Sequence, residues 1–175
     1  MAITWIEIVD TAVKIGLGAG VTGFATLLVN RQNHAKNIER ENHLRNIAVL
    51  ESVTQHIEEM THALLKHWSF VLEKARNKEK GVSTSDEKSE KINELRSDVY
   101  HLFKGLTDSE GRLLLIGCVD QQRKLREYGG IISEYHRYSS KNNEQMQSSE
   151  LESWRSRILD AREQLYITLN KAYRC

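Results

Sequence analysis

No proline occurs among the 175 residues of this chain. Proline ends helices and stiffens loops more strongly than other residues, because its ring fixes φ and it has no amide hydrogen to donate. The remaining residues are rich in Glu, Lys, Arg, Leu and Gln, which favour helices, and the β-branched residues are too scattered to suggest strands. The sequence therefore predicts an all-α protein, made of one compact domain or one domain with an appendage.

Four S/T-x-x-E capping boxes mark the expected helix starts, since in this motif two side chains bond the free amides of the first turn. They are Thr4/Glu7, Thr84/Glu87, Thr107/Glu110 and Ser149/Glu152. The last three follow stretches that contain Gly or are rich in Ser, Asn and Gln, which suit loops. These signals predict helices over residues 5–78, 85–104, 108–138 and 150–174.

Apolar residues recur at spacings of three and four along each of these segments. The series run from Leu50 to Ala75, from Ile92 to Leu106, from Leu114 to Tyr135 and from Leu151 to Ala172. Such spacing is typical of helices that pack side by side at shallow angles. Because the loops are short, residues 47–175 are predicted to form an antiparallel, coiled-coil-like four-helix bundle.

Four residues of the bundle have individual predictions. Trp68 and Trp154 lie on apolar seams, so both are predicted to fill the core. Cys118 lies within an apolar run and is predicted to be a small core residue. His67 lies about 60° from its seam on a helical wheel, which predicts a half-buried imidazole.

Residues 1–30 are predicted to be a membrane-anchor helix. The stretch from Ile15 to Val29 carries no charge. A helix from Trp5 to Asn30 would be about 39 Å long, enough to cross the roughly 30 Å core of a bilayer. Trp5 would then lie at the membrane interface, where aromatic anchors are common. Membrane lipid is therefore the first expected partner.

Small residues recur at every fourth position within this segment. One ridge contains Ala12, Gly16 and Gly20, and an overlapping ridge contains Ala19 and Gly23. Two membrane helices can approach closely along such ridges, where van der Waals contact drives association. The sequence therefore predicts a homo-oligomer that assembles through this helix.

Residues 31–46 are polar nearly all round, yet nothing in them stops a helix. They are predicted to form a juxtamembrane helical stalk about 24 Å long. The basic residues that follow the anchor predict a single pass through the inner membrane of the cell, with the N-terminus outside and the bundle in the cytoplasm. These residues are Arg31, Lys36, Arg40 and Arg45.

The string GAGVTG, residues 18–23, matches the G-x-G-x-x-G turn that binds dinucleotides. That turn needs a second parallel strand and an acidic residue about 20 positions later. Residues 31–75 have helical periodicity and contain no strand candidate. The glycines are therefore interpreted as helix-packing residues, and no cofactor is expected.

Two pairs have the E-x-x-H spacing of di-iron bundles, or its aspartate equivalent: Glu59 with His62, and Asp98 with His101. On helical wheels His62 lies about 160° and His101 about 130° from the apolar seam of its segment, so both imidazoles are predicted to face solvent. Ligands on outward faces cannot converge, and no metal site is expected.

The stretch from Arg96 to His101 resembles the R-x4-6-H motif of the HEPN helical ribonucleases, which are also small all-α proteins. On one continuous helix these two side chains lie about 140° apart. Only a kink, for which nearby Gly105 is the candidate, would bring them together. The resemblance implies a nuclease pair if such a kink exists.

The 25 basic and 24 acidic residues nearly cancel, so the net charge of +1 gives no general attraction to nucleic acid, and no nucleic-acid partner is expected. No catalytic constellation is recognised. The predicted function is that of a membrane-anchored interaction or assembly protein that relays a signal, recruits an unknown protein partner or serves as the membrane component of a larger system. The alternatives are an oligomeric pore-forming effector and a membrane-tethered HEPN-like ribonuclease.

Overall fold

The computed structural model describes the backbone of residues 5–140 and 146–173, and the side chains of residues 36–140 and 146–173. The described backbone contains four α-helices and no strand, which confirms the all-α prediction. The helices are α1 (Trp5–Glu79), α2 (Asp86–Leu115), α3 (Val119–Ser139) and α4 (Ser148–Tyr173). The chain divides into two compact units, Met1–Arg45 and Asn46–Cys175.

The second unit is a helical bundle whose core consists of the apolar seams. Every helix of this unit contributes large side chains that are completely buried. They include Ile57, Met60 and Leu64 of α1, Leu113 of α2, Leu125 and Ile132 of α3, and Ile158 and Leu165 of α4. Apart from Leu113, these are positions that the three-and-four spacing placed on the seams, because 3.6 residues per turn bring them onto one side of a helix.

Consecutive helices of this unit run antiparallel. Residue numbers rise along one helix while they fall along its neighbour. The hydrogen-bonded pairs that establish this are Ser52 with Arg112, His56 with Ser109, Glu110 with Arg126, Arg96 with Ser139, Glu134 with Arg157 and Gln121 with Thr168. Helix α3 consequently runs parallel to α1, and its hydroxyls reach α1 from Tyr128 and Tyr135.

The two tryptophans of the bundle differ in burial. Trp154 is buried, and its ring packs against Tyr138 with centroids 5.9 Å apart, as expected of a core residue. Trp68 is only half-buried, although it packs against the core. Its indole Nε1 donates a 2.6 Å hydrogen bond to the carbonyl of Leu151, which joins α1 to α4.

The break predicted at residues 105–107 is wrong, because α2 continues through it to Leu115. The Thr107 hydroxyl donates to the carbonyl of Phe103 at 3.2 Å, within the helix, and caps nothing. Gly105 serves close packing instead of a turn. A Cβ added there would lie 3.2 Å from ring atoms of His56, so a larger residue would have to push that imidazole aside by a few tenths of an ångström.

The helix break is at Gly117, which has a φ of +77°. The amide of Cys118 donates to the carbonyl of Leu113 at 2.9 Å and that of Gly117 to Leu114 at 3.1 Å, the two bonds of a Schellman motif. The third helix therefore begins at Val119 instead of residue 108. Leu114, predicted to be a seam residue, is 49% exposed, and Leu113 is buried in its place. Cys118, predicted to be buried, is half-buried.

Capping differs from the boxes at the other described helix starts. The N-cap of α2 is Ser85 instead of Thr84, and its Oγ accepts a 3.4 Å hydrogen bond from the amide of Lys88. Helix α4 begins at Ser148, whose amide and hydroxyl donate to the Glu79 carboxylate at 2.8 and 2.9 Å. The box at Thr4 lies outside the described residues.

Candidate functional site

The predicted anchor, residues 1–30, lies outside the described side chains, although α1 includes most of it. Arg31 and the ridge residues also lie outside the described side chains. The ridge residues are Ala12, Gly16, Ala19, Gly20 and Gly23. Within the described residues, no helix has both the length and the apolar character needed to span a bilayer.

The other predicted basic residues, Lys36, Arg40 and Arg45, are exposed on α1. Every residue from Lys36 to Asn46 is exposed, and the apolar side chains in this stretch are no exception. Ile38 is 48% and Leu44 is 56% exposed. No side chain of this stretch contributes to the core.

The predicted nuclease pair occupies two different environments on α2. Arg96 is half-buried, and its Nη2 donates to the carbonyl of Ser139 on α3 at 3.3 Å. His101 is exposed, with its ring edge-on to Tyr100 at a centroid distance of 6.0 Å. Helix α2 is continuous through both residues.

Both histidines of the E-x-x-H pairs, His62 and His101, are exposed, as the helical wheels predicted. Their acidic partners, Glu59 and Asp98, are exposed as well. No three potential ligand residues within the described part of the chain form a cluster that could hold a metal ion.

A buried polar cluster joins α1, α2 and α3. His67, predicted to be half-buried, is only 1% exposed. Its Nδ1 lies 3.0 Å from the hydroxyl of Tyr135, and the two rings meet edge-on at 5.8 Å. The Ser139 side chain lies close enough to Tyr135 to lower the pKa of its phenol, and the backbone carbonyl of Ser139 accepts from Arg96. This set is called the histidine cluster and is completed by His136.

Burial and the nearby guanidinium determine the charges in the histidine cluster. Burial, with the positive charges of Arg96 and His136 as smaller causes, lowers the pKa of His67 to about 4. Burial and Arg96 also lower the pKa of His136, while burial raises the pKa of the Tyr135 phenol. Both imidazoles are therefore neutral at pH 7, and Arg96 carries the charge.

Three buried nitrogens of the histidine cluster lack a hydrogen-bond partner among the described residues. They are Nε2 of His67, Nε of Arg96 and Nε2 of His136. Most buried polar atoms in folded proteins are hydrogen-bonded, because an unpaired one costs about 1–3 kcal/mol. The three nitrogens are buried inside the fold, so this cost falls on the stability of the cluster.

His136 also lines a surface groove between α2 and α3, here called the α2–α3 groove, with a volume of about 540 Å³. The other lining residues are the aromatic Tyr100 and Phe103, the basic His101 and Lys104, and two hydroxyl residues. The groove and the histidine cluster thus share one imidazole.

No family model, curated protein or solved structure matches this chain.

Sequence reasoning missed this cluster, although one signal for it exists. Tyr128 and Tyr135 lie one heptad apart on the seam of α3, and a buried phenol needs a hydrogen-bond partner. On α1, Thr61 and His67 supply those partners at 2.8 and 3.0 Å. The contribution of Arg96 has no comparable signal, because it depends on how α2 lies against α3.

Proposed function

We propose that this chain is a membrane-anchored assembly protein. The N-terminal helix anchors it in the inner membrane in a single pass, with the N-terminus outside, and associates with copies of itself. The antiparallel four-helix bundle lies in the cytoplasm and binds a protein partner. The observation that carries the proposal is the exposed helical stretch from Lys36 to Asn46, which follows a stretch of uncharged residues.

A helix that is polar all round and lies outside a core is typical of a connection between two bodies. The exposure of Ile38 and Leu44 supports this interpretation, because these apolar side chains would be buried if the stretch belonged to a core. Buried seam residues begin at Leu50, one turn after the exposed stretch ends. The stretch thus suits a stalk that separates the bundle from the membrane surface.

Self-association is argued from the ridge of small residues. Gly16 and Gly20 lie on one face of a helix, about 40° apart, and Gly18 lies about 160° from both. A leucine at Gly16 or Gly20 would keep two backbones apart, whereas one at Gly18 would face away from the contact. Gly18→Leu is therefore a matched control with the same gain in apolar area.

The test uses membranes from cells that express the full chain. We expect the chain in the membrane fraction, and crosslinked oligomers whose yield falls several-fold in Gly16→Leu and in Gly20→Leu and stays unchanged in Gly18→Leu. A chain that begins at Arg31 should leave the membrane fraction. Recovery of the full chain as a soluble monomer would contradict the proposal. Equal crosslinking of all three variants would contradict self-association through this face.

A further inference from the structure

Every ionisable side chain that lines the α2–α3 groove, apart from a tyrosine, is basic. His101, Lys104 and His136 line it, and no carboxylate is among the described lining residues. A second groove, at the start of α2, combines Glu90 and Glu94 with its lysines. Unlike that groove, the α2–α3 groove has a charge composition that favours an anionic occupant.

Lys104 is available for such an occupant. Its side chain is exposed, and it forms no ion pair with a carboxylate of the described residues. Lys91, on the same helix, instead bonds Glu94 at 2.6 Å. An ammonium without a protein counter-ion can bind a phosphate oxygen through a charge-assisted hydrogen bond.

Arg96 adds positive charge behind His136. It lies close enough to that imidazole to lower its pKa, and its own Nε lacks a partner within the described part of the chain. The half-buried guanidinium has no carboxylate partner among the same residues, an arrangement that costs free energy until an anion approaches. The His136 ring lines the groove, while its Nε2 is buried and has no partner among the described residues.

Aromatic surface accompanies these basic groups. Tyr100 is 69% exposed, an unusual position for a large ring, and Phe103 is half-buried beside it in the groove wall. Flat rings, including nucleobases, stack on such exposed aromatic faces. The volume of about 540 Å³ lies in the range that small-molecule sites occupy.

We propose that the α2–α3 groove binds a nucleoside monophosphate, with the phosphate on Lys104 and the base against Tyr100. The phosphate pairs with the Lys104 ammonium, and the base covers the exposed Tyr100 ring. Neither half of the ligand alone uses both features. The site lies entirely within the bundle and does not depend on the proposed membrane anchoring.

The test is calorimetric titration of the full chain, purified in a neutral detergent, with adenosine monophosphate, adenosine and inorganic phosphate. Adenosine monophosphate should bind at least tenfold more tightly than inorganic phosphate or adenosine, since it contributes both contacts. Lys104→Ala should weaken adenosine monophosphate and phosphate about tenfold each. Tyr100→Ala should weaken adenosine monophosphate about tenfold and leave phosphate unchanged.

Lys91→Ala is the matched control, because it removes an ammonium from the same helix outside the groove. It should leave all three affinities unchanged. The substituted side chains are exposed or half-exposed, so helicity and the thermal midpoint should match those of the wild-type chain. The proposal is overturned by the absence of saturable binding at millimolar adenosine monophosphate, by equal affinity for adenosine monophosphate and phosphate, or by equal loss in Lys104→Ala and Lys91→Ala.

Discussion

Acid should destabilise this bundle through His67, and the structure gives the size of the effect. Burial lowers the pKa of this imidazole from 6.5 to about 4. Because the folded state holds the proton more weakly than the unfolded state, unfolding takes up a proton between these two pH values. The stabilisation is complete above pH 6.5 and decreases as the pH falls to about 4. A difference of about 2.5 pKa units corresponds to about 3 kcal/mol at 1.36 kcal/mol per unit.

Urea unfolding of the full chain in a neutral detergent, followed by tryptophan fluorescence at several pH values from 7.5 to 4, measures this loss. The comparison is His67→Gln, which keeps an acceptor for the Tyr135 hydroxyl and cannot be protonated in this range. His136 titrates in both proteins and largely cancels in the difference. The wild-type chain should lose about 3 kcal/mol more than the variant over this range. Parallel pH profiles for the two chains would refute the reasoning.

Three further predictions concern stability at neutral pH, measured by the same urea method. Gly117→Ala should lower the free energy of unfolding by about 1 kcal/mol, because its φ is +77°. Gly111→Ala should raise the free energy of unfolding by about 0.5–1 kcal/mol, since this helical glycine has open space where a Cβ would lie. If both glycine variants raised it, or both lowered it, these two predictions would be contradicted. Tyr128→Phe should cost about 1 kcal/mol by removing a buried 2.8 Å hydrogen bond to Thr61. An unchanged midpoint for Tyr128→Phe would mean that this hydroxyl contributes nothing.

Local periodicity predicted the helical class and the buried faces. Ile57 and Leu64 are buried because a regular helix carries their three-and-four spacing to one side, whatever the partner helix. The boundary between α2 and α3 was misplaced because two local signals, Gly105 and the Thr107 box, are overridden by packing. Leu106 and Leu113 lie on the same buried face, so the helix continues between them.

The histidine cluster could not be predicted from one helix at a time. A helical wheel places His67 beside its seam, and it becomes buried only because α3 brings Tyr135 against it. Arg96 meets Ser139 only in the observed register of α2 and α3. Residues far apart in the sequence determine that register, so periodicity within a segment carries no information about it.

The hydroxyls of Tyr128 and Tyr135 also specify how α3 aligns with α1. Heptad spacing alone would allow α3 to slide by seven residues and still present apolar side chains to the core. Either slide moves both tyrosines off their partners and lets only one of them approach the partner of the other, so that Thr61 or His67 loses a buried hydrogen bond. The two polar contacts therefore discriminate between sliding states that the apolar seam would tolerate, and they favour a single native alignment of the bundle.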